Sequence, residues 1–294
     1  MKNIWTLTLF RMRLALRNRV FIFFSVVMPL AYMFLYVGIF GRGSAQAVSY
    51  MLSPVLALTV MGSFWGLSMQ LVTFREQGIL RRFRLAPVGA GALLASGLLS
   101  NYFLVLPTIV LELIFARWFF RMEHFGNLWG VLLLITLGTF TFAALGLTIA
   151  SVTSTMQETQ AINNVIWMSF LFLSGATLPF PLLPRVVQSV AAFLPPTYLV
   201  SGLHQALLLN APLSRITSEL VVLGVATAAA FVISVQLFRW EPEAPIRPRA
   251  RLLAAVAVIP FLLLGIYENA TGRRRQAANE LFQQIQRPAS DQAR

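Results

Sequence analysis

The stretch Arg75 to Pro87, REQGILRRFRLAP, is a charged island between two long apolar runs. Arg75, Glu76, Arg81, Arg82 and Arg84 supply its charge, while Phe74, Leu80, Phe83 and Leu85 keep apolar material among them. A loop this short, basic and amphipathic should lie on a membrane surface and turn its polar side to the cytoplasm. The residues before it then form a pair of membrane crossings, and those after it form several more.

Composition agrees. The chain has 294 residues, 57% of them hydrophobic and only 11% charged, with mean hydropathy +0.74. A soluble domain of this length buries a core without such a bias, so the solvent is lipid. The net charge of +13 does not point to nucleic acid, because the basic residues cluster at the ends of apolar runs, as membrane topology requires. With no cysteine there is no disulfide framework and no thiolate metal site. His124 and His204 are too few and too scattered to predict a metal centre.

Upstream of the island, residues 1–19 carry Lys2, Arg11, Arg13, Arg17 and Arg19, and Trp5, Leu9, Met12 and Leu16 fall on one helical stripe. This predicts an amphipathic helix lying in the interface. Apolar spans are expected near 20–40, 50–74, 91–116, 128–151, 162–178 and 220–238, each compatible with a ~30 Å hydrocarbon core at 1.5 Å per residue. Ala45-Gln46-Ala47 mimics a signal-peptidase site, but the preceding run is too long for a signal peptide, so a retained anchor is expected. The second span contains Gly62 and Gly66, a small-xxx-small spacing that should let another helix approach closely. Residues 179–210 are interrupted by five prolines yet stay apolar, which predicts two short re-entrant helices rather than a solvated loop. Residues 241–294 hold a basic linker, a seventh apolar segment at 252–267 and a polar tail. If that segment spans, Arg273, Arg274 and Arg275 lie outside; if it enters and returns, they do not. Loops and tails assigned inside hold thirteen basic residues against five outside, the expected asymmetry.

Few polar groups interrupt the spans. Glu112 is the acid well inside one, about a turn from Arg117 near the outer end. A structural acid that snorkels or pairs is the first reading, and a carrier of a cation or proton the second. Asn163 and Asn164 read first as partners for neighbouring helices. Phe64, Trp65 and Met69 are bulky enough to line a path, although aromatic residues are common in membrane helices.

Arg75-Glu76-Gln77-Gly78-Ile79-Leu80-Arg81-Arg82-Phe83-Arg84-Leu85-Ala86-Pro87 resembles the RE-x-G-T-L-x-R-L-x-x-x-P segment of ABC-2 type permeases, with Ile79 and Phe83 as departures. Leu173-Ser174-Gly175-Ala176-Thr177-Leu178-Pro179, then Leu194-Pro195-Pro196-Thr197-Tyr198 and Gly202-Leu203, are similar to that family's fifth helix and outer re-entrant segment. The likeness covers residues 1 to 240. It implies an all-α membrane protein: a six-transmembrane-helix core with an N-terminal interfacial helix and outer re-entrant helices, here with an extra C-terminal apolar segment. It further implies a permease of an ABC exporter, multi-pass in a bacterial inner membrane, pairing with two copies of an ATP-binding subunit and with a second permease, as a homodimer in contact with membrane lipid. ATP and Mg would sit on the partner subunit. Lys2 is the single lysine, so this chain has no Walker A motif of its own. In that family's terms Arg75, Glu76, Gly78, Arg81, Arg82 and Arg84 couple to the ATPase. The second and fifth spans would face the dimer axis, making Phe64, Trp65, Met69, Asn163, Trp167 and Phe170 the substrate path. Its apolar character with a few amides suits an amphiphilic, drug-like or lipid-like substrate.

Two other classes compete. A secondary transporter needs titratable groups near the midplane, and Glu112 alone is on offer. A membrane scaffold would tolerate apolar replacement of Asn163 and Asn164. No paired-aspartate or histidine-glutamate constellation supports an intramembrane enzyme.

Overall fold

The structure is a computed structural model and describes residues 2–40, 45–84, 88–122, 124–241, 256 and 258–286. Those residues contain helices and no strand. Five helical runs are long and apolar enough to cross a bilayer: Arg19–Ile39, Ala47–Glu76, Ala90–Trp118, Leu128–Val152 and Thr217–Gln236.

Helix α1 (Lys2–Arg17) turns Trp5, Leu9 and Leu16 outward and buries Thr8 and Arg11. The apolar stripe is thus exposed, and Thr8 and Arg11 face the rest of the chain. Asn18 starts the next helix by accepting from the amides of Val20 and Phe21. The first span is α2 (Arg19–Ile22), a π-helical turn at Phe23–Val27, and α3 (Met28–Phe40). The π turn precedes Pro29, which has no N–H to give the carbonyl four residues back. That carbonyl belongs to Ser25, and Thr108 Oγ1 donates to it at 2.9 Å.

Helix α4 (Ala45–Glu76) contains Pro54, which frees the carbonyl of Tyr50 in the same way. His204 Nε2 lies 3.0 Å from that oxygen; a carbonyl only accepts, so Nε2 carries the proton. The imidazole also stacks on the Tyr50 ring at 4.2 Å. His204 is therefore a helix repair, not a ligand in waiting.

After α5 (Ile79–Arg84) and α6 (Ala90–Trp118) comes α7 (Leu128–Val152), the centre of the bundle. It packs on α4 where Gly146 stands: a Cβ there would lie 2.2 Å from Phe64 O. Among the described residues the expected close approach at Gly62 and Gly66 is absent, for a Cβ at either would meet no neighbour within 4 Å. On its other side α7 is laced to α11 (Thr217–Gln236) by hydroxyls seven residues apart: Thr141 with Thr227 at 2.9 Å and Thr148 with Ser234 at 3.0 Å. Small hydroxyl residues at such seams allow close approach and satisfy themselves.

Apolarity alone places the fifth span at 162–178. The helix there, α8 (Met156–Leu173), starts six residues earlier because Thr155 caps it, accepting from Glu158 N at 3.1 Å while Glu158 Oε2 accepts from Ser154 N at 2.7 Å. It ends before Gly175, whose φ of +85° no ordinary side chain favours. Its first turns are too polar for it to join the five apolar runs. Helices α9 (Arg185–Ala191) and α10 (Pro195–Leu207) meet at a 95° bend, with Pro195 and Pro196 opening α10. This bend packs at the α7 N-terminus, where Asn127 N donates to Ala206 O at 2.8 Å.

The seventh apolar segment, expected at 252–267, appears as α12 (Ile259–Thr271), continued by α13 (Arg273–Gln286); residues 242–255 and 257 lie outside the described residues. Arg239, just past α11, reaches Thr153 O at one end of the bundle. Arg274 pairs with Glu219, in the first turn of α11, at 3.2 Å. Arg274 therefore lies at the end of the bundle opposite Arg75.

A double-mutant cycle tests the proline repair. Thr108→Val should cost ~0.6–2 kcal/mol in the native background and little in a Pro29→Ala background, where a backbone amide can reclaim Ser25 O. Thermal unfolding in detergent measures both, and equal losses in the two backgrounds would refute the pairing.

Candidate functional site

The charged island forms a corner. Arg75 ends α4 at 1% exposure, and its fork spans the terminal carbonyls of α7: Nη1 donates to Ala150 O at 2.9 Å and Nη2 to Thr153 O at 2.6 Å. Arg239 donates to the same Thr153 oxygen. Glu76 turns the other way, and its Oε1 accepts from Met156 N, the first amide of α8, at 2.7 Å. A cation thus sits on the carbonyl end of one helix and an anion on the amide end of the next, the arrangement that end charges and unsatisfied groups both favour. Burial lowers the Arg239 pKa from its ordinary value, with Glu158 opposing; an arginine has room to fall and stay charged.

Gly78, at φ +70°, makes the turn into α5. Leu80 is fully buried and Phe83 partly so, packed with Leu71 and Val72, while Arg81 and Arg82 are exposed. The Arg84 side chain and residues 85–87 lie outside the described residues. The island therefore divides. Arg75 and Glu76 hold a helix corner from within, and α5 carries Arg81 and Arg82 on its outer side.

A second basic residue, not singled out by sequence, pins the interfacial helix. Arg11 is 6% exposed, donates to Gln70 Oε1 at 3.1 Å and stands 5.5 Å from the Phe74 ring centre. It rests on Gly97, where a Cβ would come within 2.8 Å of its Nη1. Burial pushes its pKa down to about 10, so it remains charged at neutral pH. Through Arg11, α1 and the last turns of α4 move together.

The six candidate path residues separate into two groups. Phe64, Asn163 and Phe170 are interior: Phe64 meets Phe170 edge-on at 5.7 Å, and Asn163 Nδ2 donates to Ser68 Oγ at 2.6 Å. Trp65, Met69 and Trp167 are half-buried, with the two indoles edge-on at 6.3 Å. They share an open face with Gly62 and Gly66 of α4 and with Val165, Met168 and Phe172 of α8, all exposed.

Glu112 departs from expectation. It is fully buried, so it does not snorkel, and its partner is Thr59 on α4, whose Oγ1 donates to Oε1 at 2.6 Å. Its Oε2 has no partner among the described residues. Arg117 instead donates to Met122 O at 2.7 Å. Among the described residues no three His, Asp or Glu side chains gather as a metal site.

Comparison with known proteins places this geometry. A model of the ABC-2 type transporter family matches residues 2–208. The linearmycin resistance permease protein LnrN of Bacillus subtilis (strain 168) is 27% identical over 175 residues, 60% of this chain and 44% of that protein, so the chain spans less than half of that relative. A protein of the same strain named as a transport permease, YvfS, is 23% identical over 243 residues, 79% of this chain and 95% of its own length. Nodulation protein J of Rhizobium leguminosarum bv. viciae is 29% identical over 98 residues, 33% of this chain and 38% of that protein. The family match stops at Leu208, before α11, α12 and α13.

Arg75→Ala would leave Ala150 O without its donor and Thr153 O with Arg239 alone. A loss of ~2–3 kcal/mol is expected, the scale of hydrogen bonds to a charged group. Arg75→Lys should recover less than half, because an ammonium cannot fork. A lysine variant with the native unfolding midpoint would show that the fork is not what holds the corner.

Proposed function

The chain belongs to the ABC-2 type transporter family, and we propose that it is the permease half of an ATP-driven exporter for amphiphilic, drug-like or lipid-like molecules. Transport is the role of the family, and the chain is a multi-pass membrane subunit rather than an enzyme. ATP and Mg act on a separate ATP-binding subunit, two copies of which serve two permeases in the plasma membrane of a bacterial cell.

The observation that carries this reading is the corner. A cytoplasmic subunit that grips α5 through Arg81 and Arg82 also moves Arg75 and Glu76, a few residues away along a rigid turn. Those two side chains hold the end of α7 and the start of α8. Force applied at the surface is thereby delivered to the joint between two helices, a shear between discrete packings. Arg81 and Arg82 recognise the partner electrostatically, whereas Arg75 and Glu76 transmit.

The open face of α4 and α8 suits a second copy of the chain. Gly62 and Gly66 present bare backbone there, the surface on which membrane helices approach each other. Between two such faces, Trp65, Met69 and Trp167 from each copy would line a path apolar enough for an amphiphile. A relative named for linearmycin resistance supports outward movement of a small molecule. Glu112, bonded to Thr59 and sealed from the path, supports a structural acid better than a proton carrier.

The test is a complex of the full chain with its ATP-binding subunit in nanodiscs. Glu76→Ala should cut substrate-stimulated ATP turnover at least fivefold while the permease stays folded. Arg81→Glu with Arg82→Glu should reduce retention of the ATPase at least tenfold. Unchanged turnover in the first variant, with the ATPase still bound, would remove the corner from the coupling route.

A further inference from the structure

At the end of the bundle away from Arg75, α10, the start of α11 and α13 enclose a cavity of about 320 Å3. Beside it stands a cage of groups from four helices, α10 to α13. Glu219 Oε1 lies 3.2 Å and Glu268 Oε1 3.5 Å from Arg274 Nη2, and the Tyr198 ring centre is 4.1 Å from the guanidinium carbon. Gln205 Nε2 donates to Glu219 Oε1 at 3.1 Å and Ser218 Oγ to Oε2 at 2.6 Å. Two carboxylates and an aromatic face are the elements from which proteins build receptors for organic cations.

Three observations separate this cage from an ordinary staple. The guanidinium is only 9% exposed, yet its Nη1 is buried with no partner among the described residues. The adjoining cavity is large enough for a small ligand and walled in part by Phe180, Val200, Leu209, Leu264 and Tyr267; Arg215 lines it as a second cation. Finally, Arg274 is delivered by α13, which joins α12 through Gly272 at φ +63° with open space around it.

We propose that this cavity and cage form a binding site for an organic cation, a guanidinium or alkylammonium head on an apolar body, and that Arg274 is the chain's own occupant. An incoming head replaces the guanidinium between Glu219 and Glu268 over Tyr198, and its body fills the cavity. The apolar body is required by competition. A tethered arginine has a high effective concentration, so a bare cation cannot displace it, whereas one that also buries apolar surface can. The site needs no ATP and stands apart from the coupling corner, so it can fail without affecting the exporter reading.

The experiment uses the full chain in detergent. Arg274→Ala should lower the thermal midpoint by several degrees, and millimolar ethylguanidinium should restore it while neutral ethylurea should not. A phenylalkyl guanidinium should act at a concentration at least tenfold lower. Glu219→Gln added to Arg274→Ala should abolish both effects. If Arg274→Ala does not fold, Arg274→Gln takes its place. A measurement with Arg274 intact runs beside these: the chain has no cysteine, so Ala278→Cys, on α13 beside the cavity, gives a unique label. The phenylalkyl guanidinium should raise its maleimide labelling rate at least threefold. Nanodiscs of phosphatidylglycerol with and without phosphatidylethanolamine distinguish the source of the head: faster labelling with the amine lipid names a lipid, and no change names a free cation. Equal rescue by ethylurea, or labelling that does not respond to any cation, overturns the proposal.

Discussion

A main-chain carbonyl without a donor is what a low-dielectric interior tolerates least, and this bundle is organised around meeting that demand. Pro29 orphans Ser25 O and a threonine from α6 covers it. Pro54 orphans Tyr50 O and a histidine from α10 covers it. The end of α7 exposes its last carbonyls, and two arginines, one in the last turn of α4 and one just past α11, cover those. Each repair ties together elements distant in sequence, so the residues that satisfy the backbone are also those that fix the tertiary arrangement. A loss at any of them is felt twice, as an unpaired oxygen and as a loosened helix contact.

The same logic explains why the functional corner is stiff where it needs to be. Arg75 and Glu76 are adjacent, so they project to different neighbours, and α7 and α8 meet end to start within that reach. The two substitute for the bonds a continuous helix would have made. The surface helix α5 has an apolar footing through Leu80 and Phe83, and its outer face carries charge.

Much of this is legible in the chain. The crossings, the interfacial helix and the basic corner emerge from periodicity and charge placement, because lipid imposes one dominant rule on composition. The start of α8 is easily misplaced since Gln157, Glu158 and Gln160 resemble a loop, although Thr155 with Glu158 three residues on is a helix-start pattern. The tight helix contact falls at Gly146 rather than at Gly62 and Gly66, because spacing identifies a smooth face and not the neighbour that meets it. His204 cannot be connected to Pro54 from so far along the chain, nor Glu219 to Arg274, for these pairings exist only once the bundle is assembled.

The pairing of Glu219 with Arg274 also bears on biosynthesis. Here the acid precedes the arginine by 55 residues, so a ribosome delivers the acceptor before the donor emerges. The nascent bundle offers the late helix a ready counter-charge, and α13 is seated by a contact that the earlier part of the chain has already prepared.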